Sequence, residues 1–343
     1  MGLMSRLPRP KKLRQQTIVI TGASSGIGLA TARMAAARGA NVVLTSRNED
    51  DLRRATDQIK SRAGRATCVV ADVADPAALD RVADAAIREF GGFDTWVNNA
   101  GVSIYGKLTE VPLEDKKQLF ETNFWGVVNG CRTAVRHLQR RGGTIINIGS
   151  IVSDRAIPLQ GIYSASKHAV LGYTDALRME LEHDGLPITV TLVKPSAINT
   201  PYVRHARNYM EQAPTLPPPV YAPEVVAQAI LRCAERRMRE ITVGGGGRML
   251  AAMGRLAPRS MDKYMERAMF EQQQDEDGQV HTRDSLYRPA RDGQASGSYD
   301  GHVMKSSAYT TAMMSDATRA LSFIAAGAVL VAGVKRLRST GAA

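Results

Sequence analysis

The stretch Thr17-Ile-Val-Ile-Thr-Gly-Ala-Ser-Ser-Gly-Ile-Gly28 decides how the chain is expected to fold. Its first four residues form a short apolar run with β-branched side chains, which predicts a buried strand. The glycines at 22, 26 and 28 allow a tight turn, and the helix-like run Leu29–Arg38 follows directly. Free N–H groups at such a helix start attract an anion. The order of strand, glycine turn and helix therefore predicts a site for the pyrophosphate of a dinucleotide.

The same alternation of strand and helix continues through most of the chain. Further strands are predicted at Asn41–Thr45, Thr67–Val70, Asp94–Val97, Gly143–Ile148, Ile188–Val193 and Ile241–Val243. Helices are predicted at Glu49–Ala63, Pro76–Phe90, Leu113–Gln139, Tyr163–His183 and Pro223–Arg239. This pattern predicts an α/β fold, a doubly wound parallel sheet of about seven strands with helices on both faces.

The end of the second predicted strand indicates which dinucleotide the chain prefers. A site for NAD places an acid about 20 residues after the glycines, where it binds the ribose 2′-hydroxyl. Here Ser46 and Arg47 stand at that position, and the first acids, Glu49 and Asp50, come later. A guanidinium and a hydroxyl suit a 2′-phosphate. We therefore expect NADP(H) in preference to NAD(H), with an exposed loop charge as the alternative role for Arg47.

Three residues in the middle of the chain predict proton transfer. Tyr163 and Lys167 are four residues apart on a predicted helix, and Ser150 precedes the tyrosine by thirteen positions. A spacing of four places phenol and ammonium on one face, where the charge lowers a tyrosine pKa that is otherwise near ~10. A nearby serine hydroxyl can hold an alcohol or carbonyl oxygen while the phenol exchanges a proton with it. The Tyr–Lys spacing alone also fits an ordinary helix surface, so the interpretation depends on the cofactor motif.

Together these motifs resemble those of the short-chain dehydrogenase/reductase family in its compact form. The matching elements are Thr21–Gly28, Asp72, Asn98–Gly101, Asn123, Ser150, Tyr163–Lys167 and Pro195–Thr200, in family order within residues 15 to about 245. The resemblance implies a Rossmann fold and an oxidoreductase that interconverts a secondary alcohol and a ketone or aldehyde by hydride transfer. The chain departs from the family at Ser196, where a glycine is usual.

The resemblance also implies roles for individual residues. Tyr163 would be the catalytic acid/base, Lys167 would lower its pKa and bind the nicotinamide ribose, and Ser150 would hold the substrate oxygen. Asn123 would support a water in the proton relay, although a structural hydrogen bond is the alternative for an asparagine inside a predicted helix. The implied cofactor-binding residues are Gly22, Ser24, Ser25, Gly26, Ile27, Gly28, Ser46, Arg47, Asp72, Val73, Asn99, Ala100, Gly101, Tyr163, Lys167, Pro195 and Thr200.

Charge and cysteine usage limit the other classes of function. The net charge of +12 is concentrated near the termini, with five basic residues and no acid in 1–14 and three more at Lys335, Arg336 and Arg338. Such tails suit an anionic membrane surface or simply solubility, and no basic stripe predicts nucleic-acid binding. The three cysteines and six histidines show no spacing for a disulfide framework or a metal site. We expect a cytoplasmic protein without a metal, and membrane association remains open.

The chain is expected to divide into five parts. These are a basic leader (1–14), the Rossmann-fold domain (15–247), a helical extension (248–274), a disordered linker (275–318) and a short apolar helix with a basic end (319–338). The linker is rich in Gly, Ser, Asp and Arg without periodicity. A helix over Ala320–Val334 would span ~22 Å, less than the ~30 Å hydrocarbon core. A buried helix, an interfacial helix and a marginal membrane anchor all fit.

The substrate and the assembly are less closely defined by the sequence. The proline-rich stretch 201–220 is interpreted as a flexible lid, apolar enough for a hydrophobic carbonyl or alcohol. The family resemblance implies a homo-oligomer. The alternatives are a non-catalytic NADP-binding scaffold or sensor tethered to a membrane, and a protein that binds nucleic acid through its basic termini.

Overall fold

The computed structural model describes residues 10–246, 253–254, 256–280 and 283–315. Seven strands in this part of the chain form one parallel sheet, in the order β3-β2-β1-β4-β5-β6-β7. They are β1 (Thr17–Thr21), β2 (Asn41–Ser46), β3 (Arg65–Val70), β4 (Thr95–Asn98), β5 (Gly143–Ile148), β6 (Ile188–Pro195) and β7 (Glu240–Val243). The predicted doubly wound α/β sheet is thereby confirmed.

Helices cover both faces of this sheet. They are α1 (Gly26–Ala37), α2 (Glu49–Lys60), α3 (Pro76–Phe90), α4 (Leu113–Phe120), α5 (Gly126–Leu138), α6 (Gly161–His183), α7 (Tyr202–His205), α8 (Pro223–Glu235), α9 (Pro258–Gln272) and α10 (Ala308–Met314). Neighbouring residues of β1 point to opposite faces. Ile18 belongs to the core cluster that contains α1 and α8 residues, whereas Val19 belongs to the cluster that contains α3 and α5 residues. The sheet is therefore buried on both sides.

The order of the strands fixes the place of the ligand cleft. The first strand, β1, lies between β2 and β4, so the chain winds outward in both directions from it. In open parallel sheets a crevice forms beyond the carboxyl ends of the strands at such a point. The motifs that follow β1, β2 and β4 all end at this crevice.

The long helix predicted over Leu113–Gln139 differs from the structure. A π-helical turn at Glu121–Trp125 separates α4 from α5, and Asn123 lies within it. The Asn123 side chain hydrogen-bonds the main chain of Val102 rather than facing solvent. Because a wider turn re-aims a side chain inside a helix, the π-helical turn brings this amide to the loop after β4.

The described part of 275–318, the range predicted as a disordered linker, contains short paired strands and α10. Asp275 pairs with Ala213 in a short antiparallel ladder, and Val303–Met304 adds to Val220–Tyr221 in a parallel one. Leu286 is fully buried against the loop after β4. Residues 283–301, which lie along the chain between these two paired segments, we term the C-terminal strap. The segment was predicted to be disordered because its composition is polar and without hydrophobic periodicity. Main-chain hydrogen bonds do not require such periodicity.

Two other expectations concern residues at the ends of the chain. Most of the basic leader and all of 319–338 lie outside the described residues. Among the helices that are described, none has the length and apolar character needed to span a bilayer.

The stretch interpreted as a lid contains α7 and three short strands, Arg207–Asn208, Ala213–Pro214 and Val220–Tyr221.

Candidate active site

A cleft beyond β1, β2 and β4 collects most of the residues predicted to bind a cofactor. It is lined by Gly22, Ser24, Ser25, Gly26, Ile27, Ser46, Arg47, Asp72, Val73, Asn99, Ala100, Gly101 and Thr200. A second cavity contains Ser150, Tyr163, Lys167 and Pro195. The two share Ile27, Asn99, Gly101, Thr200 and Tyr202, so they adjoin end to end. Of the predicted residues, Gly28 and Asn123 line neither space.

The glycine turn is built so that its backbone stays close to the loop after β4. Gly22 and Gly26 have φ values of +64° and +54°, a region that favours glycine. The amide of Asn99 donates from Nδ2 to Thr21 O at 2.9 Å, and Thr21 Oγ1 accepts from the N–H groups of Asn99 and Ala100. These bonds tie the end of β1 to the loop after β4, and Gly26 and Ile27 of the first turn of α1 line the cleft. The start of a helix favours an anion.

We expect Gly28→Ala to destabilise this turn. An added Cβ would lie 2.3 Å from Gly22 O and 2.6 Å from Asn99 Nδ2, so backbone would have to move. The free energy of unfolding should fall by about 2–3 kcal/mol, and NADPH affinity should fall at least about tenfold. Denaturant unfolding and NADPH fluorescence titration measure these changes. The control is Gly172→Ala in α6, where an added Cβ meets nothing within 4 Å and should stabilise the helix by about 0.5–1 kcal/mol. A stable, NADPH-binding Gly28→Ala protein would contradict the expectation.

Ser150, Tyr163 and Lys167 come together although they belong to different elements. Ser150 follows β5, and its Oγ accepts from Val152 N at 3.3 Å and approaches Pro195 O at 3.5 Å. Lys167 is only 4% exposed, and its Nζ donates to Ile148 O at 2.8 Å. The same Nζ lies 5.7 Å from the centroid of the Tyr163 ring. The arrangement places a hydroxyl, a phenol and an ammonium around one cavity.

The electrostatics of this group differ from the simplest expectation. Burial raises the pKa of Tyr163, and hydrogen bonds from Tyr202 and Ser150 oppose that rise. Burial also lowers the pKa of Lys167, to about 8. The sequence predicts a phenol acidified by the lysine, whereas in the structure desolvation dominates at both residues. Tyr163 is therefore protonated at neutral pH, which is the state needed to donate a proton to an oxygen.

Asn123 does not line the cavity but hydrogen-bonds residues that lie next to it. It is fully buried, its Oδ1 accepts from Val102 N at 2.8 Å, and its Nδ2 donates to Val102 O at 3.0 Å and to Ser166 Oγ at 3.1 Å. Gly101 lies next to it, since a Cβ added there would be 3.4 Å from Asn123 Oδ1 and 3.9 Å from Lys167 Nζ. The side chain thus has the structural role that the sequence analysis left as the alternative. Its role in a water relay stays a prediction.

The C-terminal strap forms an outer wall at the far end of the cleft. Arg47 donates from Nη2 to Ser285 O and from Nη1 to Leu286 O, and its Nη1 lies 3.8 Å from Asp72 Oδ2. Gly26 N, in the first turn of α1, donates to Gln294 O at 2.8 Å. Ser285, Pro289 and Ala290 therefore line the cleft beside the predicted cofactor residues. The sequence analysis did not predict these residues, because the strap is held by main-chain carbonyl oxygens and every residue type has one.

Further residues of the second cavity were also missed. Tyr105, Gln160, Tyr202 and Leu216 line it together with the predicted Ser150 and Tyr163. Tyr202 and Leu216 lie within the stretch 201–220 that was interpreted as a lid, whereas no motif marked Tyr105 or Gln160. Across the described ranges, no group of three His, Cys, Asp or Glu side chains is placed to hold a metal ion.

Comparisons with known proteins agree with this geometry. A family model for short chain dehydrogenase matches residues 16–211. An uncharacterized oxidoreductase of Bacillus subtilis, YxnA, is 43% identical over 332 residues, covering 96% of this chain and 93% of that protein. A short chain dehydrogenase/reductase from Burkholderia phymatum, solved in complex with NAD, superposes with a TM-score of 0.61 at 27% identity, covering 77% of this chain and 98% of that one. An alcohol dehydrogenase from the archaeon Thermococcus sibiricus, complexed with 5-hydroxy-NADP, gives a TM-score of 0.58 at 25% identity over 66% of this chain and 95% of that one.

Proposed function

Because the chain belongs to the short-chain dehydrogenase family, we propose that it is an NADP(H)-dependent enzyme interconverting a secondary alcohol and a ketone or aldehyde. Membership makes it an oxidoreductase that acts on CH–OH groups with a nicotinamide cofactor. One observation carries the finer proposal. Ser150, Tyr163 and Lys167 surround a cavity that adjoins the dinucleotide cleft.

The residues of the cleft fit a dinucleotide. A Cβ at Gly22 would lie 2.8 Å from Ala100 Cα, which shows how closely the turn packs where the cofactor is expected. The nicotinamide would supply or accept the hydride. Ser150 Oγ and the Tyr163 hydroxyl hold the substrate oxygen, and in reduction Tyr163 gives it a proton. The buried Lys167 adds positive charge beside the phenol, which stabilises the negative charge left after that proton is given.

The preference for NADP(H) rests on Arg47 and Ser46. Both line the cleft at the end of β2, and the Arg47 side chain is 20% exposed. The relatives compared above were solved with NAD in one case and with an NADP derivative in the other, so both cofactors suit the fold. Because a guanidinium binds a phosphate far better than a ribose hydroxyl, Arg47 favours the phosphorylated cofactor.

We expect Arg47→Ala to weaken NADPH binding by about 10–100-fold, the effect of one charge-assisted hydrogen bond. NADH affinity should change by less than about threefold, because NADH lacks the phosphate that Arg47 would bind. Fluorescence titration with both nucleotides measures the ratio of the two affinities. Arg53→Ala is the control, since Arg53 is an exposed residue of α2 that pairs with Glu49. Equal losses for NADPH and NADH would show that Arg47 holds the strap rather than a 2′-phosphate.

The cavity favours a hydrophobic substrate. Its wall includes the apolar residues Ile148, Ile151, Val152, Ile157, Ile198, Leu216 and Pro217, and Lys167 is its one charged lining residue in the described chain. Burial of a bulky apolar group against such a wall stabilises binding by roughly 25 cal/mol per Å². We therefore place hydrophobic ketones and their alcohols first among the candidate substrates.

The deciding experiment measures NADPH consumption by the purified full-length protein with a panel of hydrophobic ketones and aldehydes. The expected result is turnover that leads to the corresponding alcohol. Tight NADPH binding without turnover of any carbonyl, and without oxidation of any alcohol by NADP, would instead favour the non-catalytic scaffold. Failure to bind either dinucleotide would end both interpretations.

Location and assembly stay proposals as well. Cys68, Cys131 and Cys233 form no disulfide, which suits a reducing cytoplasm. A homo-oligomer is proposed from the family resemblance, and a membrane contact is proposed through the basic and apolar C-terminal segment 319–338. Cell fractionation and light scattering of the full-length protein test these points.

A further inference from the structure

One tyrosine of the substrate cavity has a hydroxyl that makes no hydrogen bond to any described residue of the protein. Tyr105 lies in the short strand Ile104–Tyr105, its side chain is fully buried, and it lines the same cavity as Tyr163. Its Oη has no hydrogen-bond partner in the described part of the chain. Tyr163 and Tyr202 line this cavity as well, so the three phenol side chains surround one space.

The other polar groups around Tyr105 are already engaged. Tyr202 Oη hydrogen-bonds Ser103 Oγ at 2.7 Å and donates to Gln160 Oε1 at 3.0 Å. Gln160 Nε2 donates in turn to Gln273 Oε1 at 2.7 Å, and Gln273 is fully buried at the end of α9. The network holds Tyr202 and Gln160 in place. Tyr105 is therefore left as the free donor beside the catalytic phenol.

An unpartnered buried hydroxyl needs a physical reason. Leaving such a group unsatisfied costs about 1–3 kcal/mol, and native proteins rarely accept that cost without a function. Phenylalanine would fill the same space without it. Packing alone therefore explains the ring of Tyr105 and leaves its hydroxyl unexplained.

We propose that Tyr105 Oη binds a second oxygen of the substrate, close to the carbon that reacts at Tyr163. This inference rests on the proposed oxidoreductase function and narrows its substrate class to hydrophobic ketones or alcohols that carry another oxygen near the reacting carbon. That oxygen is neutral, a hydroxyl or a carbonyl, because Lys167 is the one cation lining the cavity among the described residues and its Nζ already bonds Ile148 O. A site that donates to a substrate oxygen discriminates strongly against the analogue that lacks it.

The test compares matched pairs of ketones that differ by one oxygen, such as benzoin and deoxybenzoin, with wild type and Tyr105→Phe. For wild type we expect kcat/KM to be at least about tenfold higher for the hydroxyketone of a pair. Tyr105→Phe should lose about 10–100-fold on the hydroxyketones and less than about threefold on the plain ketones. The control is Tyr221→Phe, a buried tyrosine that does not line the cavity; it should leave the preference unchanged.

Three results would overturn the proposal while leaving the proposed function intact. The first is equal loss by Tyr105→Phe on both members of every pair, which would mean that Tyr105 acts through Tyr163. The second is a wild-type enzyme that turns over plain ketones without preferring the hydroxyketones. The third is a lowered Tm of Tyr105→Phe, because removal of an unpartnered hydroxyl should keep or raise the Tm. An absence of ketone turnover by any variant would overturn the proposed function together with this inference.

Discussion

Tyr163→Phe is expected to lower kcat for ketone reduction by about 10²–10⁴-fold, the usual contribution of a positioned general acid. The variant keeps the ring that packs at 5.6 Å against Tyr202, so the cavity should retain its shape. It loses the hydroxyl that we propose as the proton donor to the substrate oxygen. Affinity for NADPH should therefore change by less than about threefold, because an interaction made only in the transition state lowers kcat and leaves binding alone.

Steady-state kinetics and NADPH titration together separate these two effects. Tyr173→Phe is a matched control, because Tyr173 lies on the same helix and does not line the cavity. Equal turnover by wild type and Tyr163→Phe would remove Tyr163 from the mechanism. Loss of NADPH binding by the variant would show instead that the ring has a structural role.

Lys167→Met is expected to inactivate the enzyme and at the same time to stabilise the fold. Turnover should fall by about 10²–10⁴-fold, because the phenol loses the neighbouring positive charge. Burial lowers the pKa of Lys167 from 10.5 to about 8, and each unit corresponds to about 1.4 kcal/mol. The lost hydrogen bond to Ile148 O offsets roughly 1 kcal/mol of the gain. We therefore expect the free energy of unfolding to rise by about 2 kcal/mol at pH 7.

The stability difference between Lys167→Met and wild type should depend on pH. Between pH 8 and pH 10.5 the unfolded chain binds more protons at Lys167 than the folded chain does, so this residue makes wild type more stable as pH rises. Below pH 8 Lys167 is protonated in the folded and the unfolded chain, and the free-energy cost of burying its charge is fully present. The stability difference between Lys167→Met and wild type should thus be largest near neutral pH and shrink toward pH 10.5. Urea unfolding at several pH values measures it, and a variant less stable than wild type at pH 7 would contradict it.

The sheet and the cofactor turn were predictable because their signals are local. An apolar β-branched run predicts β1, and the glycines that follow permit the positive φ values of Gly22 and Gly26. The three chemical residues could be named for a similar reason, since each is identified by its side chain and its position after a strand or on a helix. Ser150, Tyr163 and Lys167 line one cavity, and their catalytic roles stay a prediction.

The features that sequence reasoning missed depend on tertiary contacts. The strap meets Arg47 and Gly26 through the carbonyl oxygens of Ser285, Leu286 and Gln294, and every residue type has such an oxygen. The direction of the shift in the Tyr163 pKa depends on how deeply the ring is buried, and the periodicity of the sequence does not reveal that burial. The π-helical turn was signalled by Asn123 inside a predicted helix, although its register required the position of Val102.

The position of the strap limits how this enzyme can be divided or recombined. Because Ser285, Pro289 and Ala290 line the groove that the glycine turn also lines, a fragment ending at residue 247 would expose the end of that groove beside Arg47 to water. Engineering of nucleotide preference must therefore treat the end of β2 and the distant strap as one unit, because Arg47 hydrogen-bonds Ser285 O and Leu286 O.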